Sequence, residues 1–144
     1  MRELKFRAWD NLEKTYLNEE DIAIDNLSNI FIFERYDKND SDLWYTRLLP
    51  DLDNKRHVIE QYTGLKDKNG TEIYEGDIVQ YYPRHNGVPY RVYWADESAK
   101  FLIGRKGVIG QELYSIMYNL DTGRIALEVI GNIHENPELL EEEK

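Results

Sequence analysis

Short apolar stretches separated by turn-forming residues follow one another along most of the chain. Lys5–Trp9 alternates polar and apolar residues, which is typical of a half-buried strand. Ile30–Phe33 is a compact branched and aromatic run, and its shortness favours a buried strand over a helix. Further strand patterns cover Ile22–Ile24, His57–Tyr62, Ile78–Tyr82, Tyr90–Trp94, Phe101–Ile103 and Ile125–Ile130. The pattern therefore predicts a mainly β fold.

Asparagine–glycine pairs mark two of the turns between these strands. Asn69-Gly70 closes a turn that begins at Asp67, and Asn86-Gly87 lies between two tyrosine-rich strand patterns. Each pair predicts a hairpin, because Asn-Gly accepts positive φ at both turn positions. Turns that recur at a spacing of about 8–12 residues indicate a small barrel or sandwich.

Two segments have helical rather than strand patterns. Leu113, Ile116, Met117 and Leu120 recur at helical spacing, which predicts a short helix over 112–120. A second helix is expected over 137–142, because Asn136 suits the N-cap and proline suits the first helical position. Gly131, just before it, favours a bulge or a close backbone approach.

Composition excludes several classes of chemistry. The chain has 144 residues, no cysteine and 41% hydrophobic residues. The missing cysteines exclude disulfides, thiolate metal sites and cysteine nucleophiles. The N-terminal residues have no signal-peptide pattern, and no apolar run approaches the roughly 20 residues of a membrane span. We therefore expect a cytoplasmic protein that has no membrane contact.

Charge is uneven along the chain. The net charge is −10, which disfavours generic binding to nucleic-acid phosphates. Residues 80–107 differ from the rest, since they carry five Lys/Arg against two Asp/Glu together with several aromatic residues. One interpretation is that alternate aromatic residues in this segment fill a small core while the cations lie on the solvent-exposed face. The same combination is also typical of protein interfaces and of single-stranded nucleic-acid sites.

Candidate chemistry comes from two sets of residues. From the basic-aromatic segment we predict a partner-binding surface at Tyr82, Arg91, Tyr93 and Trp94. The alternative is a metal-dependent enzyme, which would need Glu75, Asp77 and Glu128 to converge in one pocket. A turn whose carboxylates cap nearby amides is a simpler interpretation of Glu75-Gly76-Asp77. The three histidines show no metal-ligand spacing, and no nucleophile or phosphate-binding motif is present.

Three blocks of sequence resemble the YopX family of phage and prophage proteins. They are Met1–Asp10, Gln61–Gly70 continued by Glu72–Val79, and Val129–Leu140. The segments Ile22–Trp44 and Pro83–Ile109 match no part of the family pattern. The resemblance implies a β-rich fold with a small SH3-like barrel, and it implies no activity, cofactor or catalytic residue.

Together, these observations predict one mainly β domain across residues 1–144, with additional strands and short helices around the barrel. An N-terminal β segment is expected over 1–60, the SH3-like barrel core over 61–136 and a short C-terminal helix over 137–144. We predict a non-catalytic binding module of phage or prophage origin in the bacterial cytoplasm, with no cofactor and no small-molecule substrate. A protein partner or self-association is favoured over nucleic acid.

Overall fold

Antiparallel strands account for most of the regular structure. The computed structural model describes residues 3–37, 40–48, 56–81, 87–118 and 123–141. Contacts between Cα atoms divide the chain between Glu60 and Gln61 into two units. We refer to Lys5–Glu60 as the N-terminal unit, and to Gln61–Lys144 together with Met1–Leu4 as the C-terminal unit.

The N-terminal unit is built from short hairpins and one long one. Its strands are β1 (Phe6–Asp10), β2 (Thr15–Tyr16), β3 (Ile22–Ile24), β4 (Ile30–Asp37), β5 (Asp40–Leu48) and the start of β6 (His57–Lys66). A 3₁₀ helix at Glu19–Asp21 precedes β3. Strand β1 pairs with β2, and β4 lies between β3 and β5 in a three-stranded sheet.

The strands predicted from the alternating isoleucines and from the branched-aromatic run are confirmed. Ile22 lies opposite Ile32 and Ile24 lies opposite Ile30, so the two patterns pair with each other. Asp25 shapes the turn between them, because its Oδ1 accepts the backbone N–H of Asn29 at 2.9 Å.

A buried carboxylate fixes the end of β1. Asp10 is 1% exposed, and Arg56 donates from Nε and Nη2 to its two oxygens at 3.1 and 2.9 Å. The backbone N–H groups of Leu12 and Glu13 also donate to Oδ1. These donors, led by Arg56, lower the pKa of Asp10 to about 2. His57 Nε2 lies 3.6 Å from Oδ2 of the same carboxylate.

A second buried carboxylate lies near the start of β6. Glu60 Oε2 accepts Nε of Arg7 at 2.7 Å and the hydroxyl of Tyr16 at 3.1 Å. The Arg7 guanidinium also lies 4.5 Å from the centroid of the Tyr16 ring, which in turn makes an edge contact with Trp9. The N-terminal unit thus satisfies its buried acids with its own arginines.

The C-terminal unit contains a five-stranded antiparallel sheet that curls into a half-barrel. Besides the end of β6, its elements are β7 (Glu72–Tyr74), β8 (Asp77–Tyr81), β9 (Pro89–Ala95), β10 (Lys100–Arg105), β11 (Val108–Glu112), helix α1 (Leu113–Ile116), β12 (Leu127–Asn132) and a 3₁₀ helix at Pro137–Leu140. The sheet order is β11-β10-β9-β8-β12, so the last strand returns to pair with β8. The predicted fold class, mainly β with a small SH3-like barrel, is confirmed in this half-barrel form.

The core of this unit follows from strand alternation. Val92 on β9 lies opposite Ile103 on β10, and both are buried. Side chains two positions apart share a face of a strand, so such pairs build a continuous apolar layer. The buried members of the cluster are Ile73, Val79, Tyr81, Val92, Ile103, Leu113, Met117, Ala126 and Leu127.

The first asparagine–glycine turn has a structural acid at its base. Asp67 is buried, and its Oδ1 accepts the backbone N–H groups of Asn69 and Thr71 at 2.8 and 2.9 Å. Its Oδ2 accepts the N–H of Val129, which ties the turn to β12. Gly70 has a φ of 82°, as the predicted hairpin turn requires.

The two helical predictions need correction in length and type. Helix α1 spans Leu113–Ile116 instead of 112–120, and Tyr118 already forms a β-bridge with Ile125. The C-terminal helix is a 3₁₀ helix at Pro137–Leu140 instead of 137–142, and the Asn136 side chain does not cap it. Cross-strand pairing replaces helix propagation in the first case, because so short a segment gains little from further helical turns.

Asn136 stabilises a bulge in β12 instead of capping the 3₁₀ helix. Its Oδ1 accepts the backbone N–H of Asn132 at 3.3 Å. The register of β12 against β8 shifts between Val129 and Gly131, and a Cβ at Gly131 would collide with the Asn136 side chain. The bulge predicted at Gly131 is confirmed, whereas the group that approaches this glycine closely is the Asn136 side chain instead of another backbone segment.

Candidate functional site

A groove of about 620 Å³ lies on the C-terminal unit, where β9, β10 and the 3₁₀ helix meet. It is lined by Arg91, Tyr93, Trp94, Gly104, Arg105, Lys106, Val108 and Leu140. We call it the basic groove because three of its lining side chains are cations. Its volume lies within the range of about 300–1,000 Å³ that is typical of ligand pockets.

Strand alternation separates the basic groove from the core. Arg91 lies opposite Gly104 and Tyr93 lies opposite Leu102, on either side of the buried Val92. Successive side chains of a strand point to opposite faces, so Arg91 and Tyr93 point away from the core that Val92 fills. The groove therefore rests on strands that are fixed by the core behind them.

Two glycines make room for the Tyr93 ring. A Cβ at Gly104 would lie 3.1 Å from Cε1 of Tyr93, and a Cβ at Gly110 would collide with the Tyr93 hydroxyl. Neither glycine has a positive φ, so space rather than backbone conformation requires them. The Tyr93 ring consequently packs directly on the backbone of β10 and β11.

This packing predicts the effect of one added methyl group. Gly110→Ala should displace the Tyr93 ring and lower the free energy of unfolding by about 1–3 kcal/mol, because the new Cβ meets the hydroxyl. Urea denaturation measures the loss. The double variant Gly110→Ala/Tyr93→Phe removes the colliding oxygen and should regain part of the stability. An unchanged midpoint for Gly110→Ala, or no recovery in the double variant, would contradict this arrangement.

The cations of the basic groove lack carboxylate partners among the described residues. Nearby, Lys100 Nζ lies 3.1 Å from Glu112 across the β10–β11 pair. No Asp or Glu in the described parts of the chain lies within ion-pair distance of Arg91, Arg105 or Lys106. The chain has 28 acidic residues against 18 basic ones, so three unpaired cations in one groove stand out from the acidic surplus.

Apolar surface borders these cations. Trp94 is 41% exposed, and its ring makes an edge contact with Phe101 at a centroid distance of 4.9 Å. Val108 is 46% exposed, and Leu140 reaches the groove from the 3₁₀ helix. The groove can therefore offer both ion pairs and apolar contact to a ligand.

The structure brings together three of the four residues predicted for partner binding. Arg91, Tyr93 and Trp94 all line the basic groove, whereas Tyr82 lies outside the described residues. Their role in binding stays a prediction. Arg105 and Lys106 belong to the basic-aromatic segment 80–107 but were missing from the predicted surface. Leu140 was missed because no local pattern connects it to strand β9.

The three carboxylates of the alternative metal site are not brought together into a metal cluster. Asp77 is buried, and its Oδ2 accepts the backbone N–H of Tyr74 at 2.8 Å. Glu128 lies 3.2 Å from Lys68 Nζ, and it occupies the other end of the β8–β12 pair from Asp77. Among the described residues, no group of three or more His, Asp or Glu side chains is suited to hold a metal ion.

The turn that contains Glu75 has a structural role. Gly76 has a φ of 83°, its N–H donates to the carbonyl of Val92, and its carbonyl accepts the N–H of Ile133. The N–H of Glu75 donates to the carbonyl of Gln61. These bonds favour the interpretation of Glu75-Gly76-Asp77 as a turn that joins neighbouring strands.

No helix in the described ranges is both long enough and apolar enough to cross a bilayer.

The chain is similar to known proteins in sequence and in fold. The family model described as YopX protein matches residues 5–141. The crystal structure of protein EF1440 from Enterococcus faecalis is 31% identical and has a TM-score of 0.58, covering 98% of this chain and 100% of its own. The X-ray crystal structure of protein yopX from Bacillus subtilis is 19% identical and has a TM-score of 0.59, covering 100% of both chains. No curated protein matches the chain.

Proposed function

The chain belongs to the YopX family, and from this starting point we propose that it is a non-catalytic binding module that recognises a protein partner through the basic groove. The observation that carries the proposal is the set of cations beside Tyr93 that have no carboxylate partner among the described residues, namely Arg91, Arg105 and Lys106. The match of the family model confirms the resemblance seen in the sequence. Family membership accounts for the fold but assigns no activity.

Unpaired arginines next to aromatic residues are suited to recognition. Arg91 and Arg105 each present several N–H donors in a planar fork, which matches carboxylate geometry. Arginine and tyrosine are also among the residues that dominate the energy of protein interfaces. A partner group that enters the groove does not have to displace a carboxylate of the described part of the chain first.

The setting of this activity is also part of the proposal. We place the module in the bacterial cytoplasm, in a phage or prophage context, on the strength of the family resemblance and the sequence pattern. It is proposed to work without a cofactor, metal ion or small-molecule substrate.

Nucleic acid is the second candidate partner, since the same cations favour phosphates. The net charge of −10 opposes it, because binding to a phosphate backbone depends on summed cationic contacts. The two candidates differ in their expected response to salt. Nucleic-acid binding should weaken steeply as salt rises, in proportion to the number of phosphates neutralised.

Affinity capture from host-cell extract, carried out with and without nuclease treatment, tests the proposal. The bait is the tagged full chain, compared with Arg91→Gln/Arg105→Gln. Lys14→Gln/Lys66→Gln is the matched control, since it removes two cations that are exposed and lie outside the groove. Circular dichroism checks that all three proteins are folded.

We expect a protein that is captured by the wild type and the control and lost with Arg91→Gln/Arg105→Gln. Equal recovery by all three baits would rule out the basic groove as the binding surface. Recovery that disappears after nuclease treatment would favour nucleic acid instead.

A further inference from the structure

We infer that the basic groove takes a short acidic peptide segment, whose carboxylates pair with Arg91, Arg105 and Lys106 while its apolar side chains meet the groove walls. This inference rests on the proposed function and specifies the chemistry of the partner.

Charge complementarity is the first support. The groove concentrates three cations that have no carboxylate partner among the described residues, although the chain as a whole is strongly acidic. Arg91 projects from β9, whereas Arg105 and Lys106 lie at and just after the end of β10. Because β9 pairs with β10, the two neighbouring strands bring these three cations to the same groove. A segment with several carboxylates can satisfy them together.

The walls of the groove add an apolar requirement. Trp94, Val108 and Leu140 present hydrophobic surface beside the cations, and the first two are more than a third exposed. A purely acidic segment would leave that surface in water. Leucine or a similar side chain between the carboxylates would cover it, which adds hydrophobic stabilisation to the ion pairs.

A peptide suits this surface better than a nucleic acid for two reasons. Screening limits charge interactions to about 8 Å at physiological salt, so a short segment responds mainly to the groove, whereas a longer polyanion also meets the acidic surface around it. Base stacking needs free aromatic faces. The Tyr93 ring, however, packs on Gly104 and Gly110, which leaves Trp94 as the one exposed aromatic ring among the residues that line the groove.

Fluorescence anisotropy with the purified full chain tests the inference. The probe is a fluorescein-labelled octapeptide that alternates glutamate and leucine. Its controls replace every glutamate by glutamine or by lysine. We expect binding of the glutamate peptide alone, weakened roughly five- to tenfold by Arg91→Gln and again by Arg105→Gln, as the loss of a charge-assisted hydrogen bond predicts.

A matched variant separates the groove from general charge. Lys66→Gln removes an exposed cation outside the groove and should change the dissociation constant less than about twofold, because a peptide in the groove does not contact it and salt screens charges that are not in contact. Equal loss with Lys66→Gln and Arg91→Gln would overturn the inference, because it would mean nonspecific attraction. A denaturation curve for each variant confirms that a weaker affinity does not reflect unfolding.

Two competitors identify other occupants. Displacement of the peptide by millimolar inorganic phosphate, or tighter binding of a single-stranded oligonucleotide of the same charge, would each overturn the inference. Absence of peptide binding together with groove-dependent capture of a protein would reject the acidic chemistry and leave the proposed function standing. Loss of groove dependence in both experiments would reject both.

Discussion

Asp10→Asn is expected to lower the free energy of unfolding by about 3 kcal/mol, because it removes the charge that two Arg56 nitrogens contact in a buried site. Breaking a buried ion pair typically costs about 3–5 kcal/mol, since it leaves one charge uncompensated. The Arg56 side chain is 32% exposed and regains some hydration, so the low end applies. Urea denaturation followed by circular dichroism measures the change.

The same residue predicts a pH dependence with a definite sign. The pKa of Asp10 falls from 3.8 to about 2 in the folded chain, mainly because Arg56 donates to the carboxylate. A depressed pKa stabilises the fold above the unfolded pKa, and this stabilisation is lost as pH falls through about 4 towards about 2. The shift corresponds to about 2 kcal/mol. The stability difference between wild type and Asp10→Asn should therefore shrink over that window.

Asp25→Asn is the matched control for Asp10→Asn. Asp25 also accepts two backbone N–H groups, but it lies in an exposed turn where water can replace it. Its substitution should cost much less than that of Asp10. Equal effects of the two variants, or a stability gap for Asp10→Asn that does not respond to acid, would show that the buried Asp10–Arg56 pair is not stabilising.

Leu127→Ala is expected to destabilise the C-terminal unit by about 2–5 kcal/mol, through lost burial and the cavity left behind. Leu127 is 0% exposed and belongs to the core cluster of the half-barrel, where it lies opposite Tyr81 on β8. Strand β12 closes the sheet on β8, so this loss falls on the element that completes the half-barrel. Thermal and urea denaturation measure it.

Leu4→Ala provides the same substitution at an exposed position. Leu4 belongs to the C-terminal unit and is 64% exposed, so its truncation should change stability by less than about 0.5 kcal/mol. A Leu127→Ala variant as stable as Leu4→Ala would mean that β12 does not pack on the core as described. Because Leu127 lies outside the basic groove, folded Leu127→Ala should keep its affinity for the acidic peptide.

Local sequence pattern predicted the strands well and the helices less well. The alternation at Lys5–Trp9, the apolar run at Ile30–Phe33 and the Asn69-Gly70 turn all have the expected structure. Helical spacing over 112–120 gave only the four residues Leu113–Ile116, because a strand bridge at Tyr118 intervenes. The helical spacing within 112–120 does not reveal the competing β-bridge, since its partner Ile125 lies outside that segment.

The sequence pattern predicted some of the residues that line the candidate site but not all of them. Interleaved cations and aromatic residues pointed to Arg91, Tyr93 and Trp94, which do line one groove. Nothing local indicated Leu140 as a wall of that groove, and the glycines under Tyr93 have ordinary backbone angles. Such contacts depend on which strands become neighbours, and the spacing of residue types along the chain does not record this.

By itself, the amino-acid sequence determined a mainly β chain with polar and apolar positions on alternate faces, its principal turns and its family. The tertiary structure decided which charges became paired. Lys100 meets Glu112 because the register of β10 against β11 places them together, whereas Arg105 and Lys106, a few residues further on, meet no described carboxylate. Likewise, Asp10 became a buried anchor only because Arg56 comes to lie beside it. Alternation is a local property of the strand, but ion pairing requires groups from distant segments within a few ångströms, and only the folded chain fixes those distances.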